Sequence, residues 1–352
     1  MNDNGGLNFI KVFAAAVAAC ALLAAGITLL FDPFYVYHKP LPGLKAVLND
    51  KEYQCVGTLR HFDYDAVIAG SSVCENFNNG WFDQGFGCTS VKAIRSYGAT
   101  ADLIYLMDIA YEDHDIRKVF YNIDPSSLYA STETTYISTG CPVYLYDKNP
   151  FNDYQYLLNK DVLLEKIPFM LAKSFTDYDE GDSYNWAQWK TFHHLMCMQM
   201  YERLDEIKPM EDAHMYDDLA VANTKMLTDM IESHPETEFR FFFSPYSMCW
   251  WDNAYRNGER DAVLNAERIC IEELIKHDNV HVYYYQDDVE VITNLDNYMD
   301  TIHFSKEINR YVLDALREGR DEITASNLDA VLDGMYELSE RIVDEHIHEY
   351  YD

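Results

Sequence analysis

The chain has 352 residues, enough to bury a sizeable core in one large domain or two smaller ones. It carries 59 acidic against 27 basic residues, a formal charge of -32, which argues against the basic footprint of a nucleic-acid partner. Only Asp3 and Asp32 among the acids precede residue 46, so the charge belongs to the solvated surface of the rest of the chain.

Residues 12–31, from Val12 to Phe31, contain no charge. Twenty residues at helical rise span roughly 30 Å, the thickness of a bilayer's hydrocarbon core. The run is flanked by Lys11 and Asp32, and a single transmembrane anchor is expected there. It lacks a small-x-small cleavage site near its end, which disfavours a removed signal peptide. "VAAC", ending at Cys20, is lipobox-like, yet eleven apolar positions follow it. Lys11 and the amino terminus give a slight positive-inside bias, so the bulk of the chain is expected outside the cytoplasm. The eight cysteines are scattered with no CxxC pair, giving neither a zinc ribbon nor a disulfide framework.

After the anchor, residues 32–64 read as a connector rich in proline and aromatic residues. Apolar, strand-like runs then recur at 65–70 ("DAVIAG"), 89–94, 118–124, 239–244 and 280–286. Helical patterns lie between them at 101–113, 216–234 and 260–277. Strands alternating with helices predict an α/β domain over 65–320, with a five-stranded parallel sheet in a three-layer α/β/α sandwich. Residues 125–215 read as a helical insertion, with a helix over 153–173. Two helices close the chain at 305–319 and 326–346, the first with Ser305 and the second with Ser326 at its N-cap, and 321–352 forms a C-terminal helical segment.

The first strand ends "AVIAGSS", and ligands in parallel sheets bind beyond the carboxyl ends of the strands. Ser71 or Ser72 there can cap a helix or act as a nucleophile, and the second role needs an oriented base. Of twelve histidines, His193 and His194 read as a surface pair on a helix rather than metal ligands, and no metal or cofactor is expected. His303 follows the last strand, three residues after Asp300. One turn brings that carboxylate back to the imidazole, at the same sheet edge as Ser72.

A strand, Gly-x-Ser and helix near the start, with Asp-x-x-His near the end, resembles the SGNH (GDSL-type) hydrolase superfamily. The anchor, "DPFYVYHKP", "FDYDAVIAGSSVCENF", "SYGAT" and "DTIHFS" together resemble its membrane-anchored group, akin to the D-alanyl-lipoteichoic acid transfer protein. The resemblance covers about residues 32–320 and implies a flavodoxin-like sheet of the SGNH type. It also implies Ser72 as nucleophile, His303 as base and Asp300 as orienter. The backbone N–H groups of Ser72 and Gly98 would form the oxyanion hole. The family's Gly-x-Asn-Asp block does not map cleanly onto "FYNIDPSS", where Asn122 and Asp124 stand, and Asn76 is a substitute donor.

Tyr246, Trp250 and Trp251 follow the fourth strand at the same edge, where aromatic faces can hold sugar rings or pack into the core. The function implied is a membrane-anchored, extracytoplasmic serine acyl enzyme. It would transfer or remove an O-acyl group on a cell-surface polysaccharide, alongside a membrane-bound acyltransferase. The rival is a non-catalytic, membrane-tethered assembly or carbohydrate-binding protein that keeps the fold.

Overall fold

The computed structural model describes residues 4–351. Two compact units divide the chain: residues up to Phe62 together with Gly140–Glu180, and Asp63–Thr139 together with Gly181–Asp352. The stretch 125–215 therefore falls on both units. It holds short turns more than long helices.

In the first unit, one helix runs Asn4–Phe31 and is long and apolar enough over Gly6–Phe31 to cross a membrane. Its large apolar side chains, among them Phe9, Phe13, Leu22, Leu23 and Leu30, are exposed, unlike those of a core helix. Asp32 ends it with φ of 41°. The Asp32 carboxylate accepts the N–H groups of Val36 (3.0 Å), Tyr37 (2.7 Å) and His38 (3.0 Å), and the Tyr156 hydroxyl (2.8 Å). Burial pushes its pKa up, and these four donors pull it part of the way back. The connector contains a helix that its composition did not announce, Lys51–His61. The helix expected over 153–173 is broken into Tyr154–Leu157, a π-type turn at Val162–Lys166 and Ile167–Ser174. Pro168 lacks an N–H to continue the ladder and sits in the first turn of the last piece.

The second unit is built on a six-stranded mixed sheet, which corrects the expected five-stranded parallel one. The strands are β1 (Ala66–Gly70), β2 (Ser90–Ile94), β3 (Lys118–Asn122), β4 (Glu238–Phe243), β5 (Val280–Tyr284) and β6 (Glu322–Ile323). Their order is β2-β1-β3-β4-β5-β6. The first five run parallel, and β6 pairs antiparallel with β5. With only two residues, β6 shows no alternation from which to read a strand.

β1 and β2 are buried along their whole lengths, as strands covered on both faces must be. Helices Asn79–Phe86 and Lys306–Glu318 pack together, and Thr100–Asp113, Asp217–Ser233 and Arg260–Leu274 pack as another group. Right-handed crossovers put the connections on either side of the point where strand order reverses, between β1 and β3. Beneath β1 and β3, Phe77 meets Phe82 and Phe242 edge-on, and Phe82 meets Phe120. Fully burying each such ring contributes roughly 1.5–3 kcal/mol. Ser305 occupies the N-cap of Lys306–Glu318 as expected, whereas Asn327, not Ser326, is the N-cap of Leu328–Arg341.

Candidate active site

The register of the sheet decides which side chains meet. Ala69 of β1 stands opposite Tyr121 of β3, so Ser72 and Asp124 lie the same three residues beyond a matched pair. Both emerge at the switch between β1 and β3, where open α/β sheets bind ligands. Gly70 leaves room for the turn after Ser72 to pack closely on β3. A Cβ on Gly70 would lie 2.5 Å from Cys74 Sγ and 3.1 Å from Asn122 Cβ.

Ser72, His303 and Asp300 form one hydrogen-bonded chain. Ser72 Oγ lies 2.7 Å from His303 Nε2, and His303 Nδ1 lies 2.7 Å from Asp300 Oδ2. Asp300 Oδ1 also accepts the N–H groups of His303 (2.8 Å) and Ile302 (3.0 Å), which fixes the carboxylate over its own loop. Burial works to raise the Asp300 pKa, but the His303 ring and these N–H groups outweigh it and hold it below the ordinary carboxylate value. The edge of His303 meets the Trp186 ring at 4.8 Å between centroids.

The segment bearing Trp186 is tied to the turn after Ser72 at two points. Asn76 Oδ1 accepts the Ala187 N–H at 3.1 Å. The buried Lys92 ammonium on β2 donates to the carbonyls of Glu75 (2.8 Å) and Ser183 (2.5 Å). Asn76 is thus a brace for the neighbouring segment. Nothing in the sequence near Trp186 or Lys92 marks them as neighbours of Ser72, because the contacts are made across long stretches of chain.

A cavity of about 160 Å³ opens beside Ser72, lined by Ser72, Gly98, Ser127, Asp124, Tyr246 and Trp250 among others. The donors expected for an oxyanion are unequal. The Ser72 N–H has no hydrogen-bond partner among the described residues. Gly98 reaches the cavity, but its N–H donates to the Arg95 carbonyl at 3.0 Å and closes a turn. A side chain could not replace this glycine, since a Cβ would lie 2.8 Å from the Arg95 oxygen. Asn122 is buried and turned away from that role. Its amide donates to Asp124 Oδ1 (2.8 Å), and its carbonyl accepts the Ser244 hydroxyl.

Asp124 does face the cavity, and it is enclosed by donors. Tyr246 Oη and Asn122 Nδ2 donate to its Oδ1, and the Ser71 hydroxyl bonds to its side chain. Burial nevertheless raises its pKa above the usual carboxylate value. Tyr246 therefore serves this carboxyl from the cavity wall. Trp250 presents its ring to the cavity, while Trp251 is fully buried and has no face for a ligand. The reason is helical: consecutive residues on Met248–Arg256 point about 100° apart, so one faces the cavity and the next the core.

As arranged, these groups can activate a hydroxyl, and the Ser72 N–H can meet developing negative charge. No protein-family model matches the chain, and no curated protein matches it in sequence, so the site stands on its own geometry.

Proposed function

We propose that the protein is a membrane-anchored, extracytoplasmic serine acyl enzyme acting on a cell-surface polysaccharide. The observation that carries this is the unbroken chain Ser72 Oγ–His303–Asp300, with 2.7 Å at both links. It has the triad logic of a nucleophile, a base and an orienter. The resemblance to the membrane-anchored SGNH-like group supports the same assignment of roles.

In this reading Ser72 Oγ attacks the acyl carbonyl carbon while His303 Nε2 takes its proton. Asp300 holds the ring with Nδ1–H toward itself and stabilises the imidazolium. The tetrahedral oxyanion is met by the Ser72 N–H, and by Gly98 only when the Arg95 turn yields its donor. The intermediate collapses with return of the proton from His303 to the departing alcohol, leaving acyl-Ser72. A sugar hydroxyl, or water, then gives its proton to His303 and takes the acyl group, and His303 returns that proton to Ser72 Oγ as the Ser72–acyl bond breaks. Trp250 supplies the aromatic edge against which a sugar would lie, while Tyr246, buried and bonded to Asp124, holds the cavity wall behind it.

The helix Asn4–Phe31, with Lys11 at its cytoplasmic end, anchors the enzyme beside membrane-delivered acyl donors. Transfer to a sugar is favoured over hydrolysis where the acceptor, and not water, occupies the cavity beside Ser72, because an acyl-enzyme that excludes water survives to meet its acceptor. One observation favours the rival, a non-catalytic carbohydrate-binding protein: a carboxyl stands at the cavity wall and the Gly98 N–H is already bonded to Arg95, which makes a poor oxyanion site. A fluorophosphonate probe separates the two. Stoichiometric labelling that disappears in Ser72→Ala is expected, and absence of labelling in the folded wild-type chain rejects the enzyme.

A further inference from the structure

Away from the cavity, three side chains converge that the proposed chemistry does not use. His193, His194 and Asp296 each bring a ligand atom within 4.8 Å of the others. His194 Nδ1 lies 2.7 Å from Asp296 Oδ1, and His193 Nε2 lies 3.9 Å from the same oxygen. All three remain open to solvent, so an ion has a path in. We propose that His193, His194 and Asp296 form a binding site for a first-row transition-metal ion of the zinc class, which clamps the loop carrying Asp300.

Donor chemistry selects the ion. Two imidazoles and one carboxylate suit Zn²⁺, with a fourth position left for water, whereas Ca²⁺ and Mg²⁺ want shells of oxygen. Ligand atoms around a tetrahedral Zn²⁺ stand about 3.3 Å apart, given bonds of about 2.0 Å, so modest side-chain rotation closes the set. The Asp296 carboxylate is already held in its charged form by the His194 N–H and ring, with a pKa below the ordinary value. Ligation through His194 Nδ1 replaces its hydrogen bond to Asp296 and puts that ring's proton on Nε2. Ligation through His193 Nε2 puts that ring's proton on Nδ1. The Leu195 N–H, which Nδ1 accepts at 3.2 Å, then passes to water at an exposed residue.

Position gives the site its consequence. The segment 193–197 already grips the triad's loop: the His193 N–H donates to the Tyr298 carbonyl (3.0 Å), and Cys197 Sγ to the Asp300 carbonyl (3.2 Å). Asp296 lies four residues before Asp300 on that loop. A metal bound to His193, His194 and Asp296 joins the two segments through coordinate bonds at the open end of this contact. The site is independent of the acyl chemistry, and it stands or falls by binding alone.

The test uses the full chain in detergent, stripped with a chelator and titrated with Zn²⁺, and with Co²⁺ as a spectroscopic stand-in. One equivalent of tight binding is expected, with Co²⁺ giving the intense visible bands of a four- or five-coordinate site. His194→Ala and Asp296→Asn should each weaken that equivalent at least about tenfold, and His193→Ala with His194→Ala should abolish it. Zinc should also slow amide exchange at residues 294–300 in the wild type and not in the double variant. The chain's other histidines and acidic surface bind metal adventitiously, so the difference between proteins decides. Equal stoichiometry and affinity in the wild type and the double variant, or a Co²⁺ spectrum of octahedral type only, overturns the site.

Discussion

Asp300 and Asp124 lie near the same serine, Ser72, and their surroundings drive them in opposite directions. Asp300 is paired with an imidazole and two N–H groups, so its charge persists below the usual carboxylate range. Asp124 is more deeply buried, and although three side chains hydrogen-bond to it, desolvation prevails and favours the neutral acid. Opposite shifts in neighbouring carboxyls are how one site separates a charged role from an uncharged one. In the proposed chemistry, one side of the pocket builds positive charge on His303 against a fixed anion. The other side must stay neutral, or it will repel an oxyanion.

The largest effect expected comes from the charged side. Asp300→Asn keeps the shape but presents an amide to His303 Nδ1, which favours the wrong tautomer. Fluorophosphonate labelling should slow by about 10⁴-fold, with little change in unfolding temperature. A loss of less than about tenfold would break the comparison, because Asp300 would then be a structural carboxylate only.

The neutral side has a surface and a foundation, and adjacent tryptophans separate them. Trp251→Ala removes a fully buried ring and should cost about 3–5 kcal/mol in denaturant unfolding. Trp250→Ala should leave stability nearly intact and instead weaken use of a sugar acceptor. Reversed outcomes would mean that the cavity wall is misassigned.

Asp124 itself gives the third test. Below its raised pKa the wild-type pocket is neutral, and above it a carboxylate faces the developing oxyanion. Such repulsion amounts to roughly 1–3 kcal/mol at an effective dielectric of about 20. Labelling by a neutral probe should thus lose about tenfold as pH rises through that pKa, and Asp124→Asn should lack this decline. Superimposable pH profiles for the two proteins would show that Asp124 carries no charge relevant to acylation.

Parts of this were legible in the residues and parts were not, for physical reasons. Asp300 and His303 are three apart, so one turn dictates their meeting, and the apolar run ending at Gly70 announced the strand that delivers Ser72. The Arg95–Gly98 turn was hidden, because no residue type reveals whether a backbone N–H is already bonded. Trp250 and Trp251 read alike in sequence, since an aromatic ring suits core and cavity equally. β6 is too short to show a period, and the grouping of Gly140–Glu180 with the N-terminal residues rests on long-range contacts. Such contacts leave no local pattern.

The smallest effect sharpens the charged side by probing what supports it. Lys92 is 2% exposed and ties the nucleophile turn to the Trp186 segment through two carbonyls. Burial lowers its pKa to about 7, although Glu75, Cys74 and Asp182 favour the charged form. In the unfolded chain the lysine keeps its proton to about pH 10.4. Between these values the unfolded state holds more protons, so raising pH strengthens folding, by at most about 1.4 kcal/mol per pH unit. Lys92→Met removes this contribution. The difference in unfolding free energy between wild type and variant, measured from pH 7 to 9 at constant ionic strength, should therefore move in favour of the wild type as pH rises. Below pH 7 both states hold the proton, and the difference should be flat. Parallel curves across the whole range would mean that Lys92 stays charged in the fold, held by its two carbonyls and Glu75 against the full penalty of burial.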